Sequence, residues 1–208
     1  SLDRPGLEAV KSAVAEKDYT RACTALIEYY KNAKTAAWLR HEPVAENGTG
    51  DAGAEAMVAD NFTFYKDEAK LPRTREDRVD WSFNGPKNDP EWGWSLNGLH
   101  HFNTLTQAYF KTGRPAYIER IDADVRDWVL SNPHPRRLTR TGPWRGIEVA
   151  SRARNWMFTF YGLQACDEFS PAARILMLSS LVEHANYLML FHRREAGNWA
   201  VTELDGLG

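Results

Sequence analysis

Residues 115–131 read PAYIERIDADVRDWVLS, and this stretch decides the fold class. Ile118, Ile121, Val125, Trp128 and Val129 recur at three- and four-residue spacing, the period of a helix with one apolar face. Pro115 suits a first helical position, and Pro133 and Pro135 enforce a stop near Ser131. The same pattern extends outward on both sides. Upstream, Ser95 is the expected cap of a helix through about Phe110, with Leu96, Leu99, Phe102, Leu105 and Ala108 on one face and Gly113 beyond its end. Downstream, one helix is predicted from about Trp144 to Cys166, and another from Ser170-Pro171 to about His192. Two shorter helices are predicted over about 7–16 and 19–31. Between Lys34 and Gly93 the glycines and prolines predict long loop, with one helical turn near Ala54–Asp60 and no strand. Short links between long helices imply antiparallel neighbours. The fold class expected is all-α, built of stacked antiparallel helical hairpins.

Composition agrees with a folded domain. The 208 residues are 43% apolar and 26% charged, with formal net charge −2, which excludes a disordered, collagenous or polycationic chain. No apolar run approaches the roughly 20 residues of a membrane span. Cys23 and Cys166 are too few for a disulfide scaffold. The first residues show no secretory leader, as a processed chain also would. From Gly197 the sequence reads as a new helix that runs for about three turns, so the chain is expected to be part of something longer.

Four constellations carry chemical content. Trp81, Trp92 and Trp94 lie within 14 residues in what reads as loop, beside several acids and amides. Indole faces stack on sugar rings, and a loop folded back on the core would bury the same rings. Residues 133–154 hold Arg136, Arg137, Arg140, Arg145, Arg152 and Arg154 against a single acid, Glu148. Guanidinium forks match carboxylates and sulfates, and a solvated helix face is the plainer reading of any one of them. Arg145, Glu148 and Arg152 share a helix face. His100 and His101 are adjacent and point to different sides, and either suits a cleft wall. Gly197-Asn198-Trp199 precedes Glu203; by itself Asn198 reads as a helix cap. No metal-ligand spacing, phosphate loop, nucleophile elbow or dinucleotide fingerprint appears, so neither metal nor cofactor is expected. The overall acidity and the lack of a reader motif argue against nucleic acid. Asn47-Gly48-Thr49 and Asn61-Phe62-Thr63 match the glycosylation sequon.

Taken together, these segments resemble the N-terminal helical region of heparinase II/III-type polysaccharide lyases, nearest to the heparinase III branch. The matching pieces are Ala25-Leu26-Ile27-Glu28-Tyr29-Tyr30, Asp80-Trp81, Asp89-Pro90-Glu91-Trp92, Leu96-Asn97 with Ala108-Tyr109, Trp144-Arg145-Gly146-Ile147-Glu148-Val149 with Arg152, and Gly197-Asn198-Trp199. Similarity covers nearly the whole of residues 1–208. The resemblance implies the first part of an incomplete (α/α) toroid, with a β-sandwich domain expected beyond this chain. It also implies β-elimination on an acidic polysaccharide, heparan sulfate or heparin first, by a periplasmic or secreted enzyme. In such lyases an Asn masks the uronate carboxylate, and that position falls on Asn198. A Tyr base and a His acid then act from segments that family order puts after residue 208, so these 208 residues alone are expected to be inactive. Arg145, Glu148, Arg152, Asn97, His100, His101, Trp81, Trp92, Trp94, Trp199 and Glu203 are the residues expected to form or support the cleft.

Two positions depart from the family pattern. Gly98 stands where relatives often carry Arg after Leu-Asn, so one anion contact is missing or comes from His100 or His101. Trp199 stands where many carry His. The alternatives are an alginate or chondroitin lyase, or a non-catalytic helical module that binds acidic glycans.

Overall fold

A two-residue link, Gly113-Arg114, turns the chain between its central helices. Gly113 adopts φ +69°, the left-handed conformation that closes a helix cheaply only for glycine. The computed structural model describes residues 2–42, 45–46, 49–140, 142–192 and 197–207. Its elements are α1 (Glu8–Ala15), α2 (Tyr19–Asn32), α3 (Ala52–Val58), β1 (Asn61–Phe64), β2 (Asp67–Lys70), α4 (Pro90–Asn97), α5 (His101–Thr112), α6 (Pro115–Ser131), α7 (Gly146–Gly162), α8 (Pro171–Phe191) and α9 (Asn198–Asp205). Two 3-10 turns, Ala37–Leu39 and Gly142–Trp144, complete the set.

The fold is all-α, as the periodicity implies. Helices α5 and α6 form one hairpin and α7 and α8 another; α5 packs on α7 and α6 on α8, while α1 and α2 form an outer pair that leans on α8. The shared core holds Phe102, Leu105, Tyr117, Ile121, Trp128, Trp156 and Met177, all buried. Ser170 caps α8 by accepting from the Ala173 amide at 3.2 Å, and Pro171 follows it as the expected first residue. Among the described residues no helix is long and apolar enough to cross a membrane.

Two expectations change. The helix assigned to Ser95–Phe110 is two helices. The first is capped by Asp89, whose carboxylate accepts from the Glu91 amide, with Pro90 at the first position; an Asp-Pro start outranks Ser95, which lies inside α4. The chain breaks over Gly98-Leu99-His100, where Leu99 takes φ +51°. The stretch 34–93 is also more ordered than loop. It contains α3 and an antiparallel hairpin that pairs Asn61 with Lys70 and Phe64 with Asp67. The hairpin turn is Tyr65-Lys66, both at positive φ, as a type I′ turn needs, but without the Asn or Gly that usually marks one. Of the two sequons, Asn61 opens β1, and Asn47 with Gly48 lies outside the described residues.

Candidate functional site

The break between α4 and α5 is held from α7. Arg152 donates from Nη1 to the Asn97 carbonyl at 2.7 Å, and Asn155 donates to the Gly98 carbonyl at 2.9 Å. These are carbonyls that a continuous helix would have used internally. The Asn97 side chain closes the same corner. Its amide donates to the carbonyls of Trp81 (2.8 Å) and Gly93 (2.9 Å), and its oxygen accepts from the Trp128 indole at 3.1 Å.

Arg152 is fully buried. Its guanidinium carbon lies 3.8 Å from the Trp128 ring centroid, and its Nε donates to Nε2 of His184 at 2.7 Å. His184 must therefore be neutral with its proton on Nδ1, which donates to the Ser180 carbonyl. Burial pushes the Arg152 pKa well below its ordinary value, offset in part by Glu148, and pushes His184 well down for the same reason, reinforced by the Arg152 charge. The cation rests on indole faces and neutral acceptors rather than on a paired carboxylate.

At the start of α7 a second pair, Arg145 and Glu148, is also buried, beneath the partly exposed Trp94 and Trp199. Arg145, the residue before α7, makes a two-pronged ion pair with Glu148, with Nη2 to Oε1 at 2.6 Å. Its guanidinium carbon also lies 3.5 Å from the Trp94 ring centroid and 4.9 Å from that of Trp199. One charge thus clamps an indole from α4 to an indole from α9, while Glu148 fixes its direction. Helix α9 docks on α7 along small residues. A Cβ at Gly146 would collide with the Glu203 carboxylate, and one at Gly206 would sit 2.7 Å from Ala150. Arg154 closes the seam with Asp205 at 3.1 Å. Arg145 with Trp199, Gly146 with Glu203 and Ala150 with Gly206 run in the same order along both segments, so both helices begin at one end. The first turn of α9 therefore lies beside Trp94 and Arg145.

Asn198 is the first residue of that turn and is exposed, with Gly197 before it in extended backbone. Its side-chain amide has no hydrogen bond to a described residue, while its backbone carbonyl accepts from the Thr202 hydroxyl at 2.9 Å. The cap is thus Gly197, not Asn198, and the amide is left facing outward.

The candidates separate by depth. Asn198 and His100 are exposed, and Trp94 and Trp199 are partly so. Trp81, Trp92, Asn97, His101 and Arg152 are buried with internal partners, so they shape the wall behind the surface rather than present a face to a ligand. Trp81 donates to Asp127 at 3.2 Å and Trp92 to the Asp67 carbonyl at 3.1 Å; the folded-back reading holds for these two rings, and Trp92 and Trp94 lie in α4 rather than in loop. His101 meets Asp124 at 3.0 Å, and burial lowers its pKa despite that carboxylate. His100 accompanies Gly98: a Cβ there would meet the His100 ring at 2.8 Å, so His100 fills the space that a side chain at 98 would take. Its ring pairs with Asn155 at 3.1 Å, and packing of its inner edge lowers its pKa, followed by the nearby His101 and Arg154.

Reading the sequence missed Trp128, His184 and Asn155, which hold Arg152 and the α4–α5 break. Gly146, inside the Trp144–Val149 motif, and Gly206 are the sequence signals of the close approach of α9.

The heparinase II/III N-terminus family model matches residues 1–208, the whole sequence. The chain belongs to this family. It is 27% identical over 217 residues to the heparin-sulfate lyase of Pedobacter heparinus, covering 98% of this chain and 32% of that protein. It is 23% identical to the heparin-sulfate lyase of Bacteroides thetaiotaomicron, covering 100% of this chain and 31% of that one. A crystal structure of a heparan sulfate lyase HepC mutant from Pedobacter heparinus superposes with TM-score 0.80 at 25% identity, covering 99% of this chain and 33% of that chain. A crystal structure of heparinase III gives TM-score 0.79 at 22% identity, a likeness of fold. The chain spans about a third of the length of these relatives.

Proposed function

We propose that this chain is the leading helical part of a polysaccharide lyase that cleaves heparan sulfate or heparin by β-elimination beside a uronic acid. The observation that carries the reading is the exposed Asn198 amide at the start of α9, held beside the Trp94–Arg145–Trp199 clamp in a chain whose full length matches heparin-sulfate lyases. The proton on C5 of a uronic acid is weakly acidic because the neighbouring carboxylate already carries a charge. An amide N–H donated to that carboxylate takes up charge as it becomes enolate-like, which is the oxyanion-hole principle. The electron pair left at C5 then forms the C4–C5 double bond and expels the glycosidic oxygen from C4, which leaves with a proton. The outward faces of Trp94 and Trp199 offer stacking surface to sugar rings, and Glu148 keeps Arg145 aligned between them. The base and acid are proposed to be a Tyr and a His from sequence after residue 208, where the helices continue into an incomplete toroid followed by a β-sandwich. A periplasmic or secreted location fits a polymeric glycan substrate.

The test uses the protein that carries this chain. Added to heparan sulfate, it is expected to raise ultraviolet absorbance as the unsaturated uronate forms. No rise with heparan sulfate, chondroitin sulfate or alginate overturns the lyase reading, and a rise with alginate alone moves the substrate to an unsulfated uronate polymer.

A further inference from the structure

The six arginines of residues 133–154 divide into two triplets. Arg145 is bound to Glu148, Arg154 to Asp205, and Arg152 is buried. Arg136, Arg137 and Arg140 are exposed, and none of them has an ion pair among the described residues. Three unpaired cations within five residues repel one another, and a folded chain of net charge −2 has acids enough to pair them.

The loop that carries them is fixed at its base. The Thr139 amide donates to the Tyr187 hydroxyl at 3.0 Å, and that hydroxyl donates to the Thr139 carbonyl at 3.1 Å. The Thr139 hydroxyl donates to the Trp144 carbonyl at 2.9 Å, and the Trp144 indole donates to the Asn132 carbonyl at 2.9 Å. The His134 ring packs edge-on against both Trp144 and Tyr187, and its Nδ1 accepts from the Arg136 amide at 3.1 Å. Arg136 itself is held at φ +52°, a conformation uncommon for a residue with a side chain. The backbone that carries the three arginines is thus ordered by folding rather than by a ligand. Beside them an open hollow of about 490 Å³ is lined by His134, Arg136, Glu183, Asn186, Met189 and Leu190. The loop is also tied to Trp144, the residue next to Arg145, so its base lies at the end of the bundle where α7 begins.

We propose that Arg136, Arg137 and Arg140 form a ledge that binds the sulfate and carboxylate groups of an acidic glycan strand running on from the Trp94–Arg145–Trp199 clamp. The proposal rests on the glycan reading of Asn198 and names a second anchoring surface for the same strand. Guanidinium forks suit sulfate and carboxylate, and Asn186 and His134 supply polar groups for hydroxyls along the hollow. A nucleic-acid strand would want exposed aromatic faces for its bases, and the two aromatics at this loop, Trp144 and Tyr187, are buried.

The experiment measures binding of size-defined heparan sulfate oligosaccharides to the protein carrying this chain. An Asn198→Ala background prevents turnover, with and without the triple change Arg136→Gln, Arg137→Gln, Arg140→Gln. The three sites are exposed, so the melting temperature is expected to stay unchanged. The triple change is expected to weaken a long oligosaccharide about tenfold at low salt and to leave a disaccharide untouched. It should also make the dependence of log affinity on log salt shallower by roughly two to three. Equal affinity and an equal salt slope for the long oligosaccharide with and without the triple change overturn the ledge. A charge-matched DNA duplex that binds as tightly and loses as much overturns the glycan assignment in favour of a general polyanion surface. Binding that depends on the three arginines in a protein that cleaves no uronate polymer upholds the ledge and removes the lyase reading. Cleavage that persists with arginine-independent binding does the reverse.

Discussion

Arg152 and Asn198 are both residues whose chemistry suits an anionic sugar, and the fold treats them in opposite ways. Arg152 has every neighbour supplied from within: two indole rings, a neutral histidine and a backbone carbonyl. Asn198 sits one helix away with its amide outward and no partner among the described residues. The buried region sets the α4–α5 break and thereby the position of Trp94, while at the rim the Asn198 amide has no hydrogen bond to a described residue. A functional surface here is a thin exposed layer over a buried polar layer whose main hydrogen bonds are made internally.

The comparison breaks most visibly at Arg152. Arg152→Ala leaves the Asn97 carbonyl and His184 Nε2 without their donors and opens a cavity under Trp128. A loss of about 3 to 5 kcal/mol in unfolding free energy is expected from urea titration. A loss below about 1 kcal/mol would mean that the break is held elsewhere.

Next in size is Gly146→Ala. The added methyl meets the Glu203 carboxylate and pushes α9 outward, at a cost of about 1 to 3 kcal/mol. Hydrogen exchange is expected to speed up in α9 amides before those of α5 or α6, which separates rim loosening from global unfolding. Uniform acceleration would contradict a seam that acts only on α9.

Acid sharpens the same contrast. His184 and His101 have pKa values lowered by burial, whereas the unfolded chain takes up protons near the ordinary histidine value of about 6.5. Below that pH the unfolded state binds more protons, so stability is intact above about pH 6.5 and declines as pH falls toward the folded values. The slope is at most about 1.4 kcal/mol per pH unit for each ring. Melting at pH 7 and pH 5 checks it, with a lower midpoint expected at pH 5 and a smaller difference in His184→Gln. Equal midpoints would show that these rings take protons as readily when folded.

The features legible in the sequence are those decided locally. Pro115, Gly113 and Ser170-Pro171 carry their own start and stop chemistry, and α6 runs over the residues that the periodicity implies. The Arg145–Glu148 pair follows from three-residue spacing on one face. What escaped is decided by distant partners. The break at Gly98–His100 depends on Arg152 and Asn155, more than fifty residues away. The Tyr65-Lys66 turn lacks its usual residues, so the hairpin had no signal. Periodicity also cannot tell a buried guanidinium from a solvated one, and so it could not separate Arg145 and Arg152, which are buried, from the four exposed arginines of this segment.

The smallest expected effect on stability belongs to the residue with the largest expected effect on chemistry. Asn198→Ala removes an exposed side chain and should change unfolding free energy by less than about 0.5 kcal/mol. Turnover of heparan sulfate by the protein carrying this change, followed by the absorbance of the new double bond, is the decisive measurement. A fall of about a hundred- to a thousandfold with unchanged melting is predicted. Turnover equal to that of the parent protein would contradict the assignment of carboxylate masking to Asn198.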